Sequence, residues 1–559
     1  MPEEKTPKDQ TEPGEPLTGK TPADKPLKRP DLKFPDLKLP DLKLPDMKLP
    51  DMKMPHLPHL PQRAGGASRK PAGGNAPRPP AVVVGGGISG LVSALDLAAA
   101  GYAVTVLEAA AVLGGCVGTH EVAGLLLDSG AESFATRSTA VASLAAELGL
   151  ADRQCAPDPA GAWVQLPEGP VPLPKTGVLG IPADPWAPEV RAALGLAGSL
   201  RAGMDARLPT SVGTKEEVIS VADLVLARMG RTVLERLVAP VVGGVHSADP
   251  AVLDVDMVAP GLRKGIVEHG SLAAAVAAQR GTAKAGAAVA GLVGGMHTLV
   301  TALAQRLRET GVVVYLGHPV TGIGRVRAGT ESQRWTVAAG DWSAEAEMLV
   351  VATDGPTAVR LLSGPVPGLA AFAPQPGPDV RLVTLVVDRP ELDVHPRGTG
   401  ILVAPQTPGI QAKALTHATA KWGWLAEETG PGTHVLRLSY GRAGDANAAA
   451  GTENIPDDET DLLAVALADA SRLLGMDLEP EDLLGWDVVR WPGSLPFATL
   501  GHRARVAELR AKVRNVPGLL LTGGWLAGNG LTAVVADARS EVSRLVESSR
   551  QPDHPLLPG

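Results

Sequence analysis

The sequence from Ala81 to Ala109 reads AVVVGGGISGLVSALDLAAAGYAVTVLEA, and this stretch decides the fold of the chain. A short β-rich run leads directly into three glycines, Gly85, Gly87 and Gly90, at G-x-G-x-x-G spacing. A helix of small residues follows, and a second apolar run ends on Glu108, eighteen residues after Gly90. This order of strand, glycine turn, helix, strand and acid predicts a β-α-β unit that binds a dinucleotide.

Each of these residue types has a physical role in such a unit. Gly85 permits the tight turn, Gly87 lets the pyrophosphate approach the backbone, and Gly90 lets the helix pack close to the strand. The free N–H groups of the first helical turn, around Ser89, favour phosphate groups. Glu108 is expected to accept hydrogen bonds from the adenosine ribose. We therefore predict that these five residues contact the cofactor.

A membrane span is the main alternative interpretation of this stretch, because it is long and nearly uncharged. It contains Asp96 and five glycines, and no basic cluster lies at either end. These features disfavour a spanning helix. Met1–Lys20 is polar and acidic and has no apolar core, so it does not resemble a signal peptide. We expect a cytoplasmic protein.

The composition of the whole chain restricts its class. With 559 residues there is room for two or three domains and a large core. The two cysteines, Cys116 and Cys155, provide neither a disulfide framework nor a metal cluster, which is typical of a reducing compartment. A formal net charge of −8 gives no reason to expect nucleic-acid binding. No metal site is predicted.

Residues 1–79 differ in composition from the rest of the chain. Between Pro30 and Pro55 a five-residue unit, Pro-Asp-Leu-Lys-Leu, recurs, with Phe or Met sometimes replacing Leu. Proline at every fifth residue is incompatible with a continuous helix or a sheet ladder. The segment is therefore predicted to be a disordered tail. It could be a solvated spacer, or a docking tail for an unknown partner.

A second glycine-rich region follows the β-α-β unit. Gly114 and Gly115 lie shortly after the predicted ribose-binding acid, where they let the backbone run beside an extended cofactor. The run Gly124–Phe134, GLLLDSGAESF, then predicts a strand followed by a loop of small residues. Ser129 and Gly130 in that loop are further candidates for contact with the cofactor. A glycine pair at this position is typical of flavoproteins.

These runs resemble the flavin-dependent protoporphyrinogen and coproporphyrinogen oxidases, within the monoamine oxidase-like flavoprotein superfamily. The likeness continues in the same order along the chain, from about residue 81 to residue 546, and this order is more specific than any one motif. The matching segments are LPKTGVLGIP at 173–182, SVADLVLARMGRTVLERLVAPVVGGV at 220–245, GGM at 294–296, VVAT at 350–353, KW at 421–422, RWPGSLP at 490–496 and GHR at 501–503.

The resemblance implies an α/β fold, with a Rossmann-like FAD-binding domain, an inserted α+β substrate domain and a helical subdomain. The FAD-binding domain would combine residues 80–135, 290–365 and 515–548. Residues 136–289 would form a mainly helical subdomain that contacts substrate or membrane. Residues 366–514 would form a substrate-binding domain with a mixed sheet.

The resemblance also implies that FAD is held by three separated pieces of chain. The β-α-β unit and the glycine pair form the first piece. Val320, in a predicted strand edge, would contact the adenine through its backbone. In the last piece, Gly523, Gly528 and Gly530 precede a helix that begins at Leu531. The N-terminus of that helix would favour the negative charge of reduced flavin.

A porphyrinogen loses hydrogen from saturated meso carbons, and FAD carries this chemistry, with O2 or another acceptor reoxidising it. No catalytic side chain is therefore predicted. A tetrapyrrole with propionate groups needs apolar walls and a few basic anchors. Arg137, after the Ser129–Phe134 loop, and Lys175 are the predicted anchors, although each could instead be a solvated surface residue.

Three functions stay open from the sequence. The leading hypothesis is oxidation of coproporphyrinogen III or protoporphyrinogen IX in haem biosynthesis, with a tilt toward coproporphyrinogen. A second is another flavoenzyme of the same superfamily, such as an amine oxidase or a desaturase. A third is a flavoprotein that acts as a scaffold through its repeat tail. Peripheral contact with a membrane is a further expectation taken from the relatives.

Overall fold

The computed structural model describes residues 78–174, 177–281, 289–328, 332–374, 377, 379–441, 455–493, 499–528 and 530–550. The predicted tail up to residue 77 and the candidate anchor Lys175 lie outside these described residues. The predicted α/β class, with a Rossmann-like domain and inserted elements, is confirmed.

The strands of the described residues are numbered in chain order. They are β1 Pro80–Val84, β2 Ala103–Leu107, β3 Thr119–Val122, β4 Leu125–Asp128, β5 Phe134–Ala135, β6 Gln154–Cys155, β7 Trp163–Leu166, β8 Gly169–Pro172, β9 Gly177–Val178, β10 Ile181–Pro182, β11 Val289–Leu292, β12 Val313–Tyr315, β13 Gly322–Ala328, β14 Ser332–Ala339, β15 Trp342–Ala346, β16 Met348–Val351, β17 Val380–Asp388, β18 Gly400–Val403, β19 Ala414–His417, β20 Thr433–Tyr440, β21 Leu483–Trp491 and β22 Leu519–Leu521.

The α-helices are numbered in the same way, and a π-helical turn at Leu234–Val238 joins α5 to α6. They are α1 Ile88–Ala99, α2 Ala140–Glu147, α3 Pro188–Gly203, α4 Val221–Arg228, α5 Arg231–Val233, α6 Ala239–His246, α7 Val255–Val258, α8 Leu262–His269, α9 Leu272–Gly281, α10 His297–Glu309, α11 Gly355–Leu362, α12 Ala418–Lys421, α13 Gly423–Thr429, α14 Glu459–Leu474, α15 His502–Arg514, α16 Gly524–Ala527 and α17 Leu531–Arg550.

A five-stranded parallel sheet in the order β12-β2-β1-β16-β22 carries the predicted β-α-β unit. Its strands come from distant parts of the chain and meet because each is apolar on both faces, as buried parallel strands require. In β1, Ala81 and Val83 face a core shared with α1, α10 and α17, whereas Val82 and Val84 face the core on the opposite side. The unit thus lies at the centre of the domain.

A seven-stranded mixed sheet in the order β21-β17-β20-β19-β18-β7-β8 forms the second large layer. Only the β18–β7 pair is parallel within it. One face of this sheet packs on α14, which begins after the capping carboxylate of Asp458 and ends at Gly475 in the left-handed region. Strands β7 and β8 belong to residues 136–289, so the segment predicted to be mainly helical also contributes two strands to this sheet.

Helices α3 to α9 surround a third core. Within this group, α4 ends at Arg228, and Gly230 adopts φ 90° before α5 begins. A glycine in that conformation interrupts the helical hydrogen-bond ladder. Among the described residues, no helix is both long enough and apolar enough to cross a bilayer.

Candidate active site

The first glycine turn is closed by backbone contacts that leave no room for side chains. Gly85 donates its N–H to the carbonyl of Leu107 at 2.8 Å and adopts φ 105°. A Cβ on Gly85 would lie 2.8 Å from the Ala352 oxygen. A Cβ on Gly90 would collide with the carbonyl oxygen of Gly85. These two glycines are therefore required by the fold, as their predicted roles demand.

Gly87, by contrast, faces open space. A Cβ there would meet nothing within 4 Å, and its φ of −73° suits any residue. Gly87 is the N-cap of α1 and offers no side chain to the N–H groups of the first turn. This cradle fits a pyrophosphate, which those N–H groups would bind. The side chain of Ser89 is buried, so a contact from Ser89 would use its backbone.

Glu108 is held against the glycine turn by both of its carboxylate oxygens. Gly86 donates its N–H to one oxygen at 2.5 Å, and Ala110 donates to the other at 2.7 Å. Each oxygen can accept a further hydrogen bond. The carboxylate thus lies at the end of β2, beside the turn, where a ribose hydroxyl would meet it.

The second glycine pair stacks directly on the first turn. Gly114 forms an isolated parallel bridge with Gly87 and donates its N–H to Gly86 at 2.9 Å. Gly114 has φ 111°, and a Cβ there would collide with the Val117 carbonyl. On Gly115, a Cβ would lie 3.4 Å from the Cα of Gly87. The two glycine segments therefore run side by side, as expected for a backbone that follows an extended cofactor.

The loop formed by residues 128–132 continues this surface. Ser129 donates its N–H to Gly118 at 3.1 Å, and Ala131 donates to Cys116 at 2.9 Å. A Cβ on Gly130 would collide with the Cys116 carbonyl. The requirement for glycine at 130 is thus steric and is explained by the protein's own backbone, and the contact of Gly130 with the cofactor stays a prediction.

The side chain of Asp128 joins this loop to α10. Its carboxylate accepts the N–H groups of Met296, at 2.8 Å, and His297, at 3.0 Å, and lies 3.2 Å from the Nδ1 atom of His297. A carboxylate at a helix N-terminus is favoured by the helix dipole. The GGM motif at residues 294–296 therefore serves as the docking point of this loop.

The next acidic residue, Glu132, is paired with two cations. Its carboxylate accepts a hydrogen bond from Lys421 Nζ, and its other oxygen lies 3.5 Å from Arg437 Nη2. Burial alone would raise the pKa of Glu132, but the charges of Lys421 and Arg437 outweigh it and lower the pKa to about 2. The sequence placed Lys421 within a family motif but did not predict this trio, because its members lie about 290 and 305 residues apart in the chain.

A small cavity opens beside this trio. Buried in its wall are Thr384 Oγ1 and Trp424 Nε1, which have no hydrogen-bond partner among the described residues. Polar atoms buried in this way indicate room for water or for a polar ligand atom. The cavity is lined by Leu127, Asp128, Glu132, Thr384, Ala418, Trp422, Trp424, Leu425, Val435 and Arg437.

The C-terminal piece reaches the same region. Helix α17 begins at Leu531, as predicted, and Thr532 donates its hydroxyl to Ala135 at 2.8 Å, which ties the start of α17 to β5. The side chain of Leu531 is buried in the core, so any cofactor contact from this residue would come from its backbone. A Cβ on Gly528 or Gly530 would meet nothing within 4 Å, so this turn is open as Gly87 is.

Gly523 lies in the turn between β22 and α16, before these open glycines. It adopts φ 137°, and a Cβ there would lie 3.2 Å from the Trp525 ring and 3.3 Å from the Thr353 oxygen. The strand β22 that precedes it is buried along its length. The backbone of Gly523 thus has little space around it.

Two of the remaining candidates fall within the described residues. Val320 is buried in an irregular connection, residues 318–321, that leads into β13 at Gly322, so the predicted strand begins two residues after Val320. The contact of Val320 with the adenine stays a prediction. The connection nevertheless lies close to the ribose-binding acid, because His318 donates its N–H to the Glu108 carbonyl at 2.8 Å. Arg137 is exposed in the turn between β5 and α2. Its role as an anchor stays a prediction.

Comparison with known proteins identifies a matching family and several similar relatives. A model of the flavin containing amine oxidoreductase family matches residues 88–541. The coproporphyrinogen III oxidase of Mycobacterium leprae is 32% identical over 472 residues, covering 83% of this chain and 97% of that protein. The coproporphyrinogen III oxidase of Bacillus subtilis is 27% identical, with coverage of 83% and 97%.

Among solved structures, the fold matches a protein from Exiguobacterium sp. 255-15 that is assigned as a protoporphyrinogen oxidase. The TM-score is 0.72 at 24% sequence identity, and the match covers 85% of this chain and 100% of that one. At this identity the likeness concerns the fold.

Proposed function

The chain belongs to the flavin-containing amine oxidoreductase family, and we propose that within this family it oxidises coproporphyrinogen III to coproporphyrin III in haem biosynthesis. The predicted family is confirmed, and the protein is an FAD-dependent oxidoreductase. The observation that carries the choice of substrate is the match over 97% of the length of relatives named coproporphyrinogen III oxidase.

The geometry supports FAD as the cofactor of this reaction. The open N-terminus of α1 suits a pyrophosphate, Glu108 suits a ribose, and the open turn before Leu531 lies at the start of a long helix. When bound, FAD would accept two electrons at a time, so complete conversion of the porphyrinogen to the porphyrin would require about three such transfers, with reoxidation of FAD by the electron acceptor between them.

The ionisation of Glu132 restricts its part in the chemistry. Because Lys421 and Arg437 hold its pKa at about 2, Glu132 is ionised at neutral pH and has no proton to donate. It is also a weak base, since its proton affinity is low. Its part is therefore to hold the two cations in place.

The substrate is a tetrapyrrole with four propionate groups, so basic side chains are its natural anchors. Arg137 is exposed and follows the loop of residues 128–132, which leaves its guanidinium available to a propionate. The second proposed anchor, Lys175, lies outside the described residues. Dioxygen is the proposed electron acceptor.

Contact with a membrane surface is a separate part of the proposal. Helix α3 carries Leu196 and Leu200 one turn apart, with 67% and 59% of their surface exposed, and Met204 and Trp186 nearby are about half exposed. Apolar side chains exposed at helical spacing are suited to the boundary of a bilayer. Cosedimentation with anionic lipid vesicles should fall when Leu196 and Leu200 are both replaced by glutamine. Equal sedimentation of the variant and the unmodified protein would contradict this contact.

Anaerobic mixing tests the proposed reaction directly. The purified FAD-loaded protein should lose its yellow flavin absorbance when coproporphyrinogen III is added. Porphyrin fluorescence should appear only after an electron acceptor is admitted, because FAD takes up two electrons at a time and a complete porphyrin requires about three such transfers. Admission of air should restore the yellow colour if O2 is the acceptor. Faster bleaching by protoporphyrinogen IX, or bleaching by an amine alone, would overturn the choice of substrate.

A further inference from the structure

The two faces of the seven-stranded sheet hold two different loops by the same kind of bond. Side chains alternate along a strand, so Arg437 of β20 and Trp491 of β21 lie on one face. Arg381 of β17 and Trp486 of β21 lie on the other, which packs against α14. Arg437 and Arg381 are equally buried, each with 16% of its side chain exposed.

On the first face, three successive backbone carbonyls of the loop 128–132 are bound by the sheet. Arg437 donates from Nη1 to the carbonyl of Gly130 at 2.9 Å and to that of Asp128 at 3.3 Å. Trp491 donates its Nε1–H to the carbonyl of Ser129, between them, at 3.0 Å. The backbone of this loop is thus set by side chains more than 300 residues away in the chain.

The other end of the Arg437 guanidinium holds the side chain of the same loop. Its Nη2 atom faces Glu132, which is also bound by Lys421. One guanidinium therefore binds both the main chain and the carboxylate, and two nitrogen atoms with fixed separation leave the loop little freedom to shift. On the opposite side, the loop rests on the glycine segment through Cys116 and Gly118.

We propose that Arg437 and Trp491 are positioning residues that set the loop 128–132 against FAD, and so link the seven-stranded sheet to the cofactor. The inference rests on the proposed function and on the predicted contact of Ser129 and Gly130 with the cofactor.

Four substitutions with matched controls test this role. Arg437→Met removes the guanidinium, and Trp491→Phe removes one N–H donor while keeping an aromatic ring. Arg381→Met and Trp486→Phe make the same changes on the opposite face, where Arg381 binds the carbonyls of Ile455 and Pro456. Each variant is measured for FAD affinity, for the visible circular dichroism of bound FAD, and for KM and kcat with coproporphyrinogen III.

Arg437→Met and Trp491→Phe should differ from their controls both in FAD affinity and in the circular dichroism of bound FAD. Arg437→Met should weaken FAD binding about 30-fold and Trp491→Phe about 5-fold, as expected for loss of charged and neutral hydrogen bonds. Both should change the circular dichroism of the flavin and lower kcat more than they raise KM. Arg381→Met and Trp486→Phe should keep FAD affinity and the flavin spectrum within about 2-fold of the original, even if they unfold at a lower temperature.

Two results would overturn the role. One is unchanged FAD affinity and flavin spectrum in Trp491→Phe and Arg437→Met. The other is equal changes in the controls, which would reduce the effect to general stability. Failure of the proposed function looks different: the unmodified protein would bind FAD normally but would not be bleached by a porphyrinogen, while the difference between the two faces of the sheet would remain.

Discussion

Two parts of the site are built by opposite means. The segment from Gly85 to Gly118 uses backbone against backbone, and it leaves space for a ligand where side chains are missing. The loop 128–132, in contrast, is held by side chains from β20 and β21, and by a carboxylate between two cations. The first part depends on shape, so single atoms added to it should be harmful. The second depends on charge and hydrogen bonds, so it should respond to pH and to isosteric changes.

The largest effect is expected where the backbone-built part has least space. In Gly90→Ala, the new Cβ would collide with the Gly85 carbonyl, so α1 must move away from β1. We expect a loss of about 3–4 kcal/mol in the free energy of unfolding, together with loss of FAD binding. Urea unfolding of the FAD-free protein measures the first, and the control Gly364→Ala, where a Cβ meets nothing within 4 Å, should change little. Normal stability of Gly90→Ala would contradict the close packing described here.

An isosteric substitution should weaken the contacts that hold the loop 128–132. Glu132→Gln keeps the shape but leaves Lys421 and Arg437 without their negative partner. The pKa of Glu132 is lowered from 4.5 to about 2, which corresponds to about 3 kcal/mol of stability at neutral pH. That contribution is present above pH 4.5 and is lost as the pH falls toward 2.

The pH profile separates this effect from simple damage. The unmodified protein should lose stability between pH 4.5 and 2 more steeply than Glu132→Gln, so the two curves of unfolding free energy should converge in acid. As a control, Glu428→Gln changes an exposed carboxylate on α13. Parallel curves over this range would show that Glu132 does not titrate as an ion pair.

A second titrating group of the same sheet should act at a higher pH. His417 is 1% exposed, and its Nε2 lies 3.0 Å from Nδ1 of His434. Burial, with the charges of His434 and His395, lowers the pKa of His417 to about 3. The carboxylate of Asp393 faces the other side of His434, at 3.1 Å. The folded protein therefore keeps His417 neutral over a range in which the unfolded chain takes up a proton.

The direction in which stability changes with pH follows from this difference in proton uptake. Stability should fall as the pH drops from 6.5 toward 3, by about 1.4 kcal/mol per pH unit from His417 alone. Replacing His417 with Gln should flatten the profile between pH 6.5 and 5, whereas His269→Gln, at an exposed position, should leave it unchanged. An equal slope in His417→Gln would assign the pH dependence to other groups.

The smallest effect on stability is expected at Gly87, in contrast to the large effect expected at Gly90. Because a Cβ on Gly87 would meet nothing and its φ is ordinary, Gly87→Ala should change the free energy of unfolding by less than about 0.5 kcal/mol. The methyl group would nevertheless occupy the space of the pyrophosphate, so FAD should bind at least about 10-fold more weakly. Wild-type FAD affinity in Gly87→Ala would show that the phosphates lie elsewhere.

The sequence by itself determined the parts of the protein that depend on neighbouring residues. The strand, the glycine turn, α1 and Glu108 lie within 29 residues, so their spacing along the chain already predicts the geometry of the β-α-β unit. The irregular backbone of residues 318–321 and the end of α4 before Gly230 were not predicted. At Gly230 the cause is local, because a glycine with φ 90° interrupts the helical hydrogen-bond ladder.

Only the tertiary structure decided which side chains hold the loop of residues 128–132. Nothing in the spacing of Glu132, Lys421 and Arg437, or in a tryptophan near residue 490, indicates that these groups meet. They meet because the order of strands in the seven-stranded sheet brings β20 and β21 to the end of β4. A hydrogen bond needs atoms about 3 Å apart in space, whatever their separation along the chain, and that distance is a property of the folded sheet.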